Sequence, residues 1–261
     1  PQTCISDMET VAKAAKPGAS TKAADSVATA QLMQWMHALQ FGDSTLPTGA
    51  FTFSHGLESA IERGLVTDAA SLHSYVKTAV EQASVGDGVG LLNAYRSAKA
   101  ADIDGLLKAD RAIYNRKLNE ETRTMTVRTG RKLIELADKV IGASRSAPVL
   151  SQWREKVTAG ETPGCYPVCQ ALIFAELDIP EDACFMVHQY GVAMAILSAA
   201  LRMVRVDHVD TQTILFKLNQ TIAEDYAMAA TRKLEDMANF APVVDLLAAI
   251  HVKAHVRLFM N

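Results

Sequence analysis

The chain has 261 residues, with Lys+Arg 26 against Asp+Glu 29 and a formal charge of −3. That balance weighs against a nucleic-acid-binding domain and gives no general attraction to an anionic membrane. Hydrophobic residues make up 49% and aromatics only 6%, with 14 Gly and 8 Pro, so the chain can bury a core, and its wealth of alanine favours helices over strands.

Residues 1–29 are rich in Ala, Lys, Ser and Thr, hold no aromatic residue and are broken by Pro17-Gly18. They predict a flexible tail or a weak helix, followed by one all-α domain over 30–261 of about ten helices. The acidic opening PQTCISDMET does not read as a signal peptide. Asp68 is a candidate N-cap, and Leu72, Tyr75, Val76, Ala79, Val80 and Ala83 mark one buried face. Ser84 to Gly88 interrupts that helix, so Gly86-Asp87-Gly88-Val89-Gly90 reads as a glycine-built connection between helices. Helices follow over 88–100, 103–119, 121–141 (ended by Gly142), 148–159, 168–177, 181–204, 210–229 (capped by Asp210) and 242–260. The most apolar stretch runs from Cys184 to Val204 but contains His188, Gln189 and Arg202. Its longest unbroken apolar or small run, Gly191 to Leu201, is shorter than the roughly 20 residues of a membrane span. It reads as a buried central helix.

Four cysteines, Cys4, Cys165, Cys169 and Cys184, make no disulfide framework and point to a reducing, cytoplasmic compartment. No G-x-x-x-x-G-K-S/T sequence occurs, so the chain has no P-loop for nucleotide hydrolysis. Cys165 and Cys169 offer two thiols at a loop-to-helix junction, either as ligands for a thiophilic metal or as small buried residues. His251 and His255 lie one helical turn apart with the spacing of a zincin helix, but Val252 stands where the catalytic glutamate belongs. They are interface or capping residues or a ligand pair, and the missing glutamate weighs against a protease. The charged run Asn115 to Arg123 is a solvated face or a docking face, with Arg116 and Glu120 spaced as a helix-stabilising pair.

The segment Asp43-Ser44-Thr45-Leu46-Pro47-Thr48-Gly49-Ala50-Phe51-Thr52-Phe53-Ser54-His55-Gly56-Leu57-Glu58, preceded by Leu32-Met33-Gln34-Trp35, resembles the opening signature of the UreF family of urease accessory proteins. The resemblance continues through Glu120-Glu121-Thr122-Arg123 with Gly130, Ser198 to Met203 with Gln212, and the ending His255-Val256-Arg257-Leu258-Phe259. It covers roughly residues 30–261. Val204 to His208 departs from it, where many members carry a Pro-Gly turn.

This resemblance implies an all-α cytoplasmic protein that is not an enzyme and carries no cofactor. It implies a homodimer that joins the scaffold protein UreD (also called UreH) and recruits the GTPase UreG to apo-urease for GTP-dependent nickel insertion, regulating GTP hydrolysis. No nucleic acid or membrane partner is implied. The partner-binding residues it points to are Phe51, Glu58, Glu121, Arg202, Gln212, His255, Arg257 and Phe259. Pro47 and Gly49 shape the signature loop, and Phe51 and Phe53 are either surface or core. Arg202 is a docking residue or half of an internal salt bridge. The segment from Val244 onward is a weakly anchored scaffold-binding element or a helix that closes the core. The alternative function is a nickel-binding metallochaperone using Cys165, Cys169, His251 and His255.

Overall fold

The computed structural model describes residues 19–50, 53–238 and 241–251. Among them are twelve α-helices and no strand: α1 Ala19–Gly42, α2 Leu57–Glu62, α3 Ala69–Ala83, α4 Val89–Lys99, α5 Ile103–Arg116, α6 Glu120–Gly142, α7 Pro148–Thr158, α8 Tyr166–Glu176, α9 Glu181–Met203, α10 His208–Leu218, α11 Ile222–Ala230 and α12 Pro242–His251. The all-α expectation holds. The count exceeds ten because α2 escapes a reading based on long periodic runs. A 3-10 turn, Asn219–Thr221, also breaks the stretch expected as one helix over 210–229. The boundary expected near Ala30 falls inside α1.

Local chemistry sets five of the twelve helix starts. Asp68 accepts from the Ser71 amide at 2.9 Å, and the Ser71 hydroxyl faces the Asp68 amide at 3.1 Å, a capping box that opens α3. Asp102 and Asn119 accept from the amides of Gly105 and Thr122 at 2.9 and 2.8 Å, opening α5 and α6. Pro148 sits in the first turn of α7, where its missing N–H costs nothing. Helix α10 begins earlier than Asp210. Asp207 is the N-cap and Asp210 answers it three residues on, each side chain accepting the other's amide, at 2.8 and 3.1 Å.

The glycine run 84–90 corrects the sequence reading. It is no turn: a single π-helical turn, Ser84–Gly88, joins α3 to α4 without leaving the helical region, with Gly88 at φ −63, ψ −43. These glycines serve close packing instead. A Cβ on Gly88 would lie 2.6 Å from Phe185 Cε2, and one on Gly90 2.6 Å from Ile113 Cγ1.

Two apolar clusters fill the interior. The larger gathers Trp153, Phe174, Phe185, Leu91, Leu106 and Ile134 around α4 and α8. Every residue of α8 from Pro167 to Ala175 is buried, which makes it apolar on all sides. The smaller cluster joins Leu57, Leu72, Tyr75, Leu197, Ile214 and Leu247. Helix α9 belongs to both, through Phe185 near its start and Ile196, Leu197 and Ala200 near its end. It is long and apolar enough to cross a membrane by length and composition alone, and half of its most apolar window is buried inside the fold. Arg116 ties the end of α5 to the 234–237 turn through the carbonyls of Met237 and Leu234, at 3.2 and 3.4 Å. Arg123 donates to Lys117 O at 2.8 Å and lies over the Tyr114 ring. Part of the charged run 115–123 therefore does tertiary work.

Candidate functional site

The signature loop roofs a cavity of about 450 Å³. The roof is held by short-range bonds. Asp43 accepts from the Thr45 amide and hydroxyl at 2.7 and 2.9 Å, which lowers its pKa, and Thr48 N–H reaches Leu46 O at 2.6 Å. Gly49 turns the chain at φ 81. Phe53 is core, at the start of the descent into α2. His55 and Gly56 both adopt left-handed conformations, φ 53 and 79, and the Tyr75 hydroxyl donates to His55 O at 2.7 Å. Gly56 has a second constraint, since a Cβ there would lie 3.0 Å from the Tyr75 hydroxyl and 3.3 Å from the Ala248 amide of α12.

The walls come from Met125, Thr126 and Thr129 of α6, Tyr166 and Pro167 at the start of α8, and one face of α9: His188, Gly191, Met194, Ala195, Ser198 and Arg202. A buried carboxylate positions the α8 wall. Asp110, fully buried in α5, accepts from Thr162 Oγ1 at 2.5 Å, the Gly164 amide at 2.8 Å and the Cys165 amide at 2.7 Å. Gly130 lets α6 approach that same loop, because a Cβ there would collide with Gly164 O and lie 2.6 Å from the Tyr166 amide.

His188, His55 and Asp87 line the cavity too. Asp87 Oδ2 pairs with Lys117 Nζ at 2.5 Å, a contact about four-fifths withdrawn from water on each side. His188 faces Gln170 Oε1 through Nδ1 at 3.1 Å, and the Tyr166 ring stacks on it with centroids 6.4 Å apart. Burial lowers the pKa of both imidazoles to about 4, with Lys117 pushing the same way against Asp87. Burial also raises the Tyr166 phenol to about 12. His188 is only 5% exposed, whereas His55 is half-buried on the cavity.

A pH dependence follows from the two neutral histidines. Below about 6.5 the unfolded imidazole takes up a proton that the folded one refuses until about pH 4. Stability is therefore complete above pH 6.5 and falls through the window from 6.5 to 4, by up to about 1.4 kcal/mol per pH unit for a fully buried histidine. Urea midpoints at pH 7, 6 and 5 should drop more steeply in the wild type than in His188→Gln. Parallel profiles would refute the assignment.

Of the residues expected to bind partners, Arg202 alone of the described ones reaches the cavity. It is exposed in the last turn of α9. Glu58 is buried, at 6% exposure, in the first turn of α2. Glu121 is half-buried at the start of α6, and Gln212 is exposed on α10. Phe51, His255, Arg257 and Phe259 lie outside the described residues. Helix α12 is anchored by buried Leu247 and Ala248, while Val243 and Leu246 remain exposed. Cys165 and Cys169 are fully buried, and burial together with Asp110 raises both thiols. Among the described residues no three His, Cys, Asp or Glu side chains are placed to hold a metal ion. His188 was not among the residues that the sequence singled out for function. Its placement with Gln189 inside the most apolar run was the available signal.

Comparison with known proteins finds sequence relatives of one family. The UreF family model matches residues 66–219. Urease accessory proteins UreF from Yersinia pseudotuberculosis serotype IB (strain PB1/+), Yersinia pestis (strain Pestoides F) and Yersinia enterocolitica serotype O:8 / biotype 1B (strain NCTC 13174 / 8081) are each 50% identical over 223 residues, 85% of this chain and 96% of theirs. The chain belongs to the UreF family. The resemblance read from the signature loop therefore holds, and the loop that carries it is the roof of the cavity.

Proposed function

We propose that this chain is a urease-maturation adaptor. It joins the UreD/UreH scaffold, recruits the UreG GTPase to apo-urease for GTP-dependent nickel insertion, regulates GTP hydrolysis and works as a homodimer. The maturation role is supported by the 50% identity to relatives named urease accessory proteins, over nearly their whole length.

The observation that carries the adaptor reading is the outer side of α1. Leu32, Met33, Trp35, Met36 and Leu39 are all exposed, Leu32 and Leu39 by 66% and 68%, while Ala38 and Phe41 hold the helix to the body. From Val27 to Gly42 the helix has no Asp, Glu, Lys or Arg. An uncharged apolar stripe of this size is a surface for another protein. The metallochaperone alternative has weaker support, since Cys165 and Cys169 would have to leave the core and ionise against burial to bind nickel.

The test is co-purification of the full chain with the scaffold and the GTPase. Leu32→Glu with Leu39→Glu should leave the melting temperature within a few degrees and abolish capture of at least one of them. Retained capture of both would remove α1 as the docking surface. Failure of the wild type to capture either partner would overturn the adaptor reading itself.

A further inference from the structure

Two methionines set the outer side of α1 apart from an ordinary leucine stripe. Met33 is 50% exposed and Met36 60%, more than any other methionine among the described residues, whereas Met237 is buried. Their place on the helix matters as much as their exposure. Met36 follows Leu32 by four residues and Met33 by three, and precedes Leu39 by three, so it lies in the middle of the exposed stripe with an apolar neighbour one turn away on each side. Ala38 and Phe41, which hold α1 to the body, are buried. Both thioethers are open to solvent in the free chain and central to anything that covers the stripe.

A thioether has a chemistry that leucine lacks. A hydroperoxide oxidises it in one two-electron step: sulfur attacks a peroxide oxygen, the O–O bond breaks and the S–O bond of a sulfoxide forms. The other oxygen leaves with the proton as water or an alcohol. The thiols that would compete for the oxidant are withdrawn. Cys165, Cys169 and Cys184 are fully buried, and burial raises all three, which keeps them protonated and unreactive. Among the described residues, peroxide chemistry therefore falls to methionine. Its product is out of place on this face. A sulfoxide oxygen is a hydrogen-bond acceptor, and from Val27 to Gly42 the helix has no Lys or Arg to answer it.

We propose that Met33 and Met36 form a reversible oxidation site for hydroperoxides that controls docking on α1. As thioethers they complete the apolar stripe, and as sulfoxides they close it to a partner. Their control of docking rests on the reading of α1 as the docking surface. The coupling is reciprocal: if oxidation weakens docking, docking shields both sulfurs from the oxidant.

The experiment treats the full chain with hydrogen peroxide at pH 7, maps each methionine by peptide mass spectrometry, and measures capture of the scaffold and the GTPase before and after. Met33 and Met36 should convert ahead of Met237 and of the half-buried Met125, Met194 and Met203. Capture should then fall at least about ten-fold, the cost of burying one unpaired polar group. Methionine sulfoxide reductases for both epimers should restore it. In a chain carrying Met33→Leu with Met36→Leu, the ratio of capture after peroxide to capture before should stay near one, because leucine has no sulfur to oxidise. A complex formed before peroxide is added should convert the two residues more slowly than the free chain. Unchanged capture after both residues are converted, a loss that the reductases do not reverse, or an equal loss in the double-leucine chain would overturn the proposal. Failure of the adaptor reading looks different, since untreated wild type then captures neither partner. The site is then decided on the chain alone, where Met237 keeping pace with Met33 and Met36 would refute it.

Discussion

Asp110→Ala is expected to destabilise the protein by about 4 kcal/mol. The substitution leaves three buried donors without their acceptor: the Thr162 hydroxyl and the amides of Gly164 and Cys165, now held at 2.5, 2.8 and 2.7 Å. Each stranded donor costs about 1–3 kcal/mol, partly relieved if water follows into the space left by the carboxylate. The loop they hold leads into α8, whose Tyr166 and Pro167 form one wall of the cavity. The damage should therefore reach the site as well as the stability. Urea denaturation at pH 7 measures it as a lowered midpoint with an unchanged slope. Asp104→Ala, on the same helix, should move the midpoint by no more than about 0.5 kcal/mol. A loss below about 1 kcal/mol in Asp110→Ala would mean that the loop holds its shape without the carboxylate.

Helix α6 should respond in opposite senses to one substitution made at two of its glycines. Gly130→Ala drives a methyl into the backbone of the 164–166 turn, 2.6 Å from the Tyr166 amide and 2.7 Å from the Cys165 carbonyl carbon. Backbone cannot rotate away as a side chain can, so α6 and α8 must separate. We expect a net loss of about 3 kcal/mol, even after the gain in helix propensity. Gly142→Ala meets nothing within 4 Å at the end of the same helix and should be neutral or stabilising, by up to about 1 kcal/mol. Thermal melts of the two variants side by side decide the point. Similar effects at both positions would show that helix propensity, not the close approach, governs position 130.

Much of the local structure was legible in the residues. Asp68, Pro148 and the periodic faces marked helices that the structure contains, because a cap or an apolar stripe is satisfied within about four residues of itself, whereas Asn119, read as the end of one helix, is the cap of the next. The cap of α10 was misplaced because Asp207 and Asp210 have the same chemistry, and only backbone geometry distinguishes the residue outside the helix from its partner inside. The glycines at 86, 88 and 90 were misread for a different reason. Glycine is equally suited to turning a chain and to letting another helix come close.

By itself the sequence determined an all-helical chain, most of its helix boundaries and, through the signature loop, its family. The tertiary structure decided what those parts make together. Gly88 meets Phe185, His188 meets Gln170 and Asp110 meets the 162–165 loop, and none of these pairs is local along the chain. The same holds for the cavity, which takes its roof from residues 42–50 and its walls from α6, α8 and α9. Periodicity and capping report how a segment satisfies itself. The neutral charge state of a buried histidine and the volume left beside it depend on how distant helices pack, because desolvation and close packing are set by whichever atoms arrive at contact distance.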